Sequence, residues 1–160
     1  GHFFPAQAIR KALQNKGVEV KYIGSQFGVE ASYYSSNSKD ELLLNIRGIQ
    51  RHISVDSLIK NILFPFRFLQ SYIQSWMLLH EFKPHVVIGT GGYSSGLPLL
   101  AAIHKGIKTV IQEQNSFPGI TTRQLASRVD KICIAYEDAV NYLKKKIQLL
   151  PGILLERIFN

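Results

Sequence analysis

Cysteine, methionine and tryptophan each occur once in this chain, and the lone Cys133 excludes any intrachain disulfide framework. A reducing cytoplasm fits that usage. Cys133 lies between Ile132 and Ile134 and is expected to be inert core. No Cys/His cluster has the spacing of a metal site, so neither a metal nor a cofactor is expected. There is no Gly-Lys-Ser/Thr segment, which excludes a Walker loop. The apolar stretch Leu58 to Phe82 contains Pro65, Arg67 and several polar residues, so it does not read as a spanning helix. Acidic residues are scarce, 11 against 19 basic, for a formal net charge of +8. That surplus favours anionic partners. The cations are scattered apart from Lys144-Lys145-Lys146, and no nucleic-acid motif accompanies them. Phosphates or an anionic membrane surface are therefore expected ahead of nucleic acid. The lysine run also suits a solvated helix end, where cations complement the dipole. No signal peptide is visible, and the only methionine is Met77, so the chain is expected to be a piece of a longer protein.

What is present is the composition of one globular core: 160 residues, 46% apolar and 19% charged. Helical and strand patterns alternate, which predicts an α/β fold with a doubly wound parallel sheet. An amphipathic helix is predicted over residues 6–16, with Pro5 at its start and Gly17 at its stop. Strands are predicted at 18–24, near 42–46, and at 85–88, 109–111 and 131–135. Further helices are predicted at 97–104, 120–128 and 137–146. In such folds a glycine loop joins the first strand to the first helix. Here Gly1-His2 leads directly into the first helix, so the first strand is expected to be missing, leaving an exposed edge or a central gap.

Four segments could carry chemistry. Gly89-Thr90-Gly91-Gly92-Tyr93-Ser94-Ser95-Gly96 follows a buried strand and precedes a helix. Glycines there let main-chain N–H groups approach an anion, and a helix N-terminus adds its positive end. The plainer reading is a βα turn, for which four glycines in eight residues are more than enough. Gly1-His2-Phe3-Phe4-Pro5 puts a histidine on the rim where open α/β sheets bind ligands. It could serve as a general base or merely hydrogen-bond. Gln112-Glu113-Gln114-Asn115-Ser116 ends a strand and could read sugar hydroxyls, or supply turn and N-cap chemistry. Leu58 to Phe82 has Leu58, Ile62, Leu69, Ile73 and Trp76 near helical spacing, with further apolar residues broadening the surface. One face is expected to pack on the sheet. Another, with Leu63, Phe66, Arg67, Phe68 and Trp76, is expected to lie against an anionic membrane interface.

Together these segments resemble the MurG family of glycosyltransferases. The resemblance rests on Gly1 to Ala6, on Phe82 to Tyr93, on Gln112 to Ser116 with Pro118-Gly119-Ile120-Thr121, and on Asp130 to Cys133 with Ala135-Tyr136. It runs from Gly1 to about Lys146. It implies a Rossmann-like N-terminal half of a GT-B enzyme. Residues 1–147 would form the acceptor-binding, membrane-facing domain and 148–160 an interdomain linker, with the donor-binding C-terminal domain absent. The implied reaction transfers N-acetylglucosamine from UDP-GlcNAc to undecaprenyl-diphosphate-linked MurNAc-pentapeptide, with inversion, at the cytoplasmic face of the bacterial plasma membrane. The resemblance also implies residue roles. His2 would be the base. Gly1 and Asn115 would contact the donor. Gly89, Thr90, Gly91, Gly92, Tyr93, Ser94 and Glu113 would bind the acceptor and its diphosphate. Thr122 stands where the family often has asparagine. Arg157 falls one place beyond a family linker arginine. The chain alone is expected to be inactive. The alternative is a non-catalytic membrane-anchoring acceptor subunit of a two-chain glycosyltransferase.

Overall fold

The computed structural model describes residues 2–27, 29–34, 40–46, 48, 62–143 and 148–149. The first helix, α1 (Phe3–Asn15), buries Phe3 and Ile9. It stops in a Schellman motif: Gly17 N–H donates to the Gln14 carbonyl at 2.9 Å and Val18 N–H to the Leu13 carbonyl at 3.1 Å. Gly17 has φ +77°, the left-handed turn that this stop requires. Val18 is thereby tied to the helix end, and strand β1 (Tyr22–Ser25) starts four residues later than its valines suggest. The short helix α2 (Val29–Tyr33) leads toward β2 (Glu41–Leu44), which pairs in parallel with β1.

The second half alternates regularly. Helix α3 (Phe64–Phe82) has Pro65 in its first turn and ends at Lys83, which takes the left-handed conformation. Strand β3 (Val86–Gly89) follows, then α4 (Tyr93–His104), β4 (Lys108–Glu113), α5 (Ile120–Leu125) and β5 (Lys131–Ile134). Residues 137–142 form a 3-10 turn, where a longer helix to residue 146 was expected. The expected helix 97–104 begins earlier, so Tyr93 to Gly96 form its first turn rather than a loop. Gln148–Leu149, placed by sequence in a linker, pairs in parallel with β5 as β6. The remaining linker residues, Arg157 among them, lie outside the described residues, as do Lys144-Lys145-Lys146, Gly1 and Leu58.

Every described strand pairing is parallel, in two separate sheets ordered β1-β2 and β3-β4-β5-β6. The larger sheet carries an aliphatic core of Leu99, Ile111, Leu125, Val129, Ile132 and Ile134. Cys133 is buried there, and burial pushes its thiol pKa up, as expected of an inert residue. Helix α4 packs on β1, β3 and β4 and on the flanking α3 and α5, which explains its run of small and apolar residues. Among the described residues no pairing joins β1 to β3. A cavity of about 450 Å³ is lined by Tyr22 and Ile23 of one and by Val86, Val87 and Ile88 of the other. The cavity thus lies between the two sheets.

Candidate active site and apolar flank

His2 occupies the N-cap position of α1 without a side-chain capping bond, and its ring reaches across to the carboxyl end of β3. Its Nδ1 lies 2.8 Å from the Thr90 carbonyl, and the Thr90 hydroxyl donates back to the His2 carbonyl at 2.9 Å. The imidazole lies against Gly91 and Gly92. A Cβ at Gly91 would fall 2.4 Å from Nδ1, and one at Gly92 would fall 3.2 Å from Cδ2. Both glycines also have positive φ, 101° and 78°. No other residue supplies both the conformation and the clearance. From β4 the Gln114 amide comes within 2.5 Å of the same Nδ1. Segments about ninety and a hundred and ten residues apart thus meet at one ring.

Gly92 is the N-cap of α4, and no side chain caps that helix. The Ser95 hydroxyl donates to the Gly92 carbonyl at 3.1 Å and so takes up none of the first-turn N–H groups. Uncapped N–H groups at the positive end of a twelve-residue helix suit an anion. His2, Thr90, Gly91 and Ser94 line one end of the cavity beside them.

Several residues expected at a ligand also make internal contacts. Gly89 is buried inside β3, where a Cβ would fall 2.4 Å from Leu99 Cδ1, so its small size serves packing. Gly96 is likewise a packing position: a Cβ there would meet Thr121 at 2.8 Å. Thr90 is buried, and its hydroxyl and carbonyl are both committed to His2. Tyr93 is on the helix, partly exposed, with its ring against Gly48.

Glu113, named from the resemblance for acceptor binding, is fully buried and acts as an internal hub. Oε1 accepts from the Asn115 backbone N–H at 3.1 Å and from Asn115 Nδ2 at 2.8 Å. Oε2 accepts from Gly119 N–H at 3.3 Å and from the Thr122 hydroxyl at 2.7 Å. An unpartnered buried carboxylate would be strongly unfavourable, and these four donors offset that cost. They also fold residues 114–119 back over the end of β4. Thr122 is buried and its hydroxyl is one of these donors. Asn115 stays exposed with its amide nitrogen committed to Glu113. Sequence reasoning missed Gln114, although it sits inside a segment already singled out; only the fold shows that it turns toward His2.

Helix α3 is turned inside out relative to an ordinary surface helix. Its buried line is Ser71, Ser75 and Leu79, and the two serines are 0% exposed. Its outward stripe is Phe66, Leu69, Ile73 and Met77, with Trp76 beside it and exposed Ile62 just before the helix. Phe66 is 72% exposed. Leu63 and Phe68 are also exposed, and Arg67 lies between them, half-buried. Leu69 and Ile73, which helical spacing groups with Trp76, face out. Lys105 places its ammonium 4.1 Å from the centre of the Trp76 ring. No helix among the described residues is long and apolar enough to cross a membrane, and no group of His, Cys, Asp and Glu among them could hold a metal.

The model of the glycosyltransferase family 28 N-terminal domain matches residues 1–134. A transferase of Flavobacterium psychrophilum is 40% identical over 154 residues, covering 95% of this chain and 41% of its own length. One of Caldanaerobacter subterraneus is 37% identical over 147 residues, covering 91% of this chain and 39% of its own. Both are named UDP-N-acetylglucosamine–N-acetylmuramyl-(pentapeptide) pyrophosphoryl-undecaprenol N-acetylglucosamine transferase. The crystal structure of Acinetobacter baumannii MurG superposes with a TM-score of 0.72 at 27% identity, covering 95% of this chain and 42% of that one. The chain thus spans about two-fifths of the length of the curated relatives it matches. With the family model over most of its length and a MurG fold beneath it, the chain belongs to glycosyltransferase family 28, in its N-terminal domain.

Proposed function

We propose that this chain is the acceptor-binding half of an enzyme that transfers N-acetylglucosamine from UDP-GlcNAc to undecaprenyl-diphosphate-linked MurNAc-pentapeptide. The names of its relatives support the reaction class. The observation that carries the site is the His2 ring on Gly91 and Gly92, next to the uncapped start of α4. In this reading the N–H groups from Gly92 to Ser94 hold the acceptor diphosphate. His2 takes the proton from the attacking sugar hydroxyl. The new C–O bond forms at the anomeric carbon with inversion as UDP leaves with the bonding pair. Asn115, its amide nitrogen already committed, offers its side-chain carbonyl to the donor sugar. Thr90 and Glu113 hold these groups in place and touch neither substrate. Most of the donor contact falls to the C-terminal half of such an enzyme.

The outward stripe of α3, with Lys105 beside Trp76, suits an anionic bilayer at the cytoplasmic face of the plasma membrane, with the protein peripheral to it.

The test is a chimera carrying this chain in place of the matching segment of the Flavobacterium psychrophilum transferase. The unsubstituted chimera is expected to form the product. In that background His2→Ala is expected to cut kcat by about a hundredfold or more with the fold intact. Near-normal turnover would remove His2 as the base. A chimera that folds and binds acceptor but never transfers would favour the anchoring-subunit alternative. Separately, Phe66→Ser with Trp76→Ser is expected to weaken co-sedimentation with vesicles containing anionic lipid. Unchanged sedimentation of the folded variant would count against the membrane face.

A further inference from the structure

Two polar groups face His2 Nδ1. The Thr90 carbonyl, 2.8 Å away, can only accept, so Nδ1 must carry a proton. The Gln114 amide nitrogen, 2.5 Å from the same atom, can only donate. Two donors cannot face each other at that distance. The oxygen and nitrogen of a glutamine amide are distinguished by their partners rather than by their shape. Gln114 Oε1 is buried and has no donor among the described residues, so nothing holds the amide in the orientation drawn.

We propose that Gln114 is a positioning residue whose amide oxygen accepts from His2 Nδ1–H. Together with the Thr90 carbonyl it fixes the imidazole in the tautomer that leaves the lone pair on Nε2. Nε2 has no hydrogen-bond partner among the described residues. The ring is then held on three sides: Thr90 and Gln114 at Nδ1, and the faces of Gly91 and Gly92. A base must present a lone pair to the proton it removes, and the hydrogen bond at the other nitrogen decides which one does so. The inference rests on reading His2 as the base, but the tautomer can be measured without any turnover.

The first measurement is long-range 15N–1H NMR on this chain, labelled at histidine, at alkaline pH. The Nδ1–H tautomer of His2 is expected. An Nε2–H tautomer would overturn the proposal at once, because Gln114 would then be donating to a bare Nδ1. Gln114→Glu offers only acceptors there and is expected to keep the Nδ1–H tautomer. Gln114→Leu offers none, and is expected to broaden or shift the His2 signals. In the chimera it should lower kcat by about fivefold to tenfold with little change in KM, the scale of one hydrogen bond. Gln114→Glu should restore most of that kcat. Unaltered His2 signals and kcat in Gln114→Leu would also overturn the proposal. If the tautomer is as expected but His2→Ala turns over normally, the base assignment fails while Gln114 keeps its role in placing the ring.

Discussion

The two sheets of this domain are held by different means. The β3–β6 sheet encloses an aliphatic core in which Leu99, Ile111, Val129 and Ile132 are each about 1% exposed. The β1–β2 pair has a smaller set, Leu44, Ile46 and Leu97. It relies more on aromatic edges, with Phe3 against Tyr22, Tyr33 and Tyr34, and on an Arg10–Glu41 ion pair at 2.6 Å. Non-directional burial tolerates small shifts, whereas ring edges and ion pairs depend on geometry. The catalytic candidate sits on the seam: His2 belongs to the first helix, but everything that orients its ring belongs to the larger sheet. The larger aliphatic core lies on one side of that seam and His2 comes from the other.

The sharpest way to break this contrast is at Glu113. Glu113→Ala removes a buried acceptor of four hydrogen bonds and leaves their donors unpaired. It is expected to destabilise the domain by about 3–4 kcal/mol, read from the midpoint of urea unfolding. A loss under about 1 kcal/mol would mean the hub holds only its own loop. A smaller effect is expected at the seam. Gly91→Ala forces a side chain into a positive-φ site and against the imidazole, at about 1–3 kcal/mol. Its clearest sign should be displaced His2 NMR signals while β5 amides stay put; shifts spread evenly over both sheets would dissolve the distinction between them.

The smallest effect belongs to Asp130, exposed at the start of β5. Thr109 N–H, then its hydroxyl, then Lys108 hold this carboxyl below its usual pKa. A carboxylate whose folded pKa is depressed contributes stability above its unfolded pKa and loses it as pH falls through the folded value. Asp130→Asn should therefore lower Tm modestly at neutral pH, and the difference should shrink below about pH 4. A gap that is constant with pH would assign the loss to shape rather than charge.

Much of this was readable from residue order. The βα alternation and the parallel pairing follow from patterns of spacing and from Gly17, Pro84 and Gly106 as punctuation, whereas the meeting of His2 with the glycine run does not. Other features were not readable, for physical reasons. Ser94, Ser95 and Gly96 favour turns, yet tertiary packing of Leu97 and Leu99 draws them into a helix. Glu113 looks like a ligand-reading side chain until Pro118-Gly119 turns the chain back and delivers Thr122 to it. Along α3 the 3.6-residue period reveals a stripe but not which way it faces. That direction depends on Ser71 and Ser75, whose small size brings α3 close to α4.

The reversed stripe on α3 has a consequence for encounter rates. Nineteen helical residues extend about 28 Å. A helix lying lengthwise on a bilayer would keep the start of α4 at one height above the headgroups. A sugar whose diphosphate is tethered to the same leaflet would then search for its pocket by lateral diffusion alone. Its local concentration would be set by lipid density rather than by the volume of the cell, so even weak main-chain contacts to the diphosphate could be saturated.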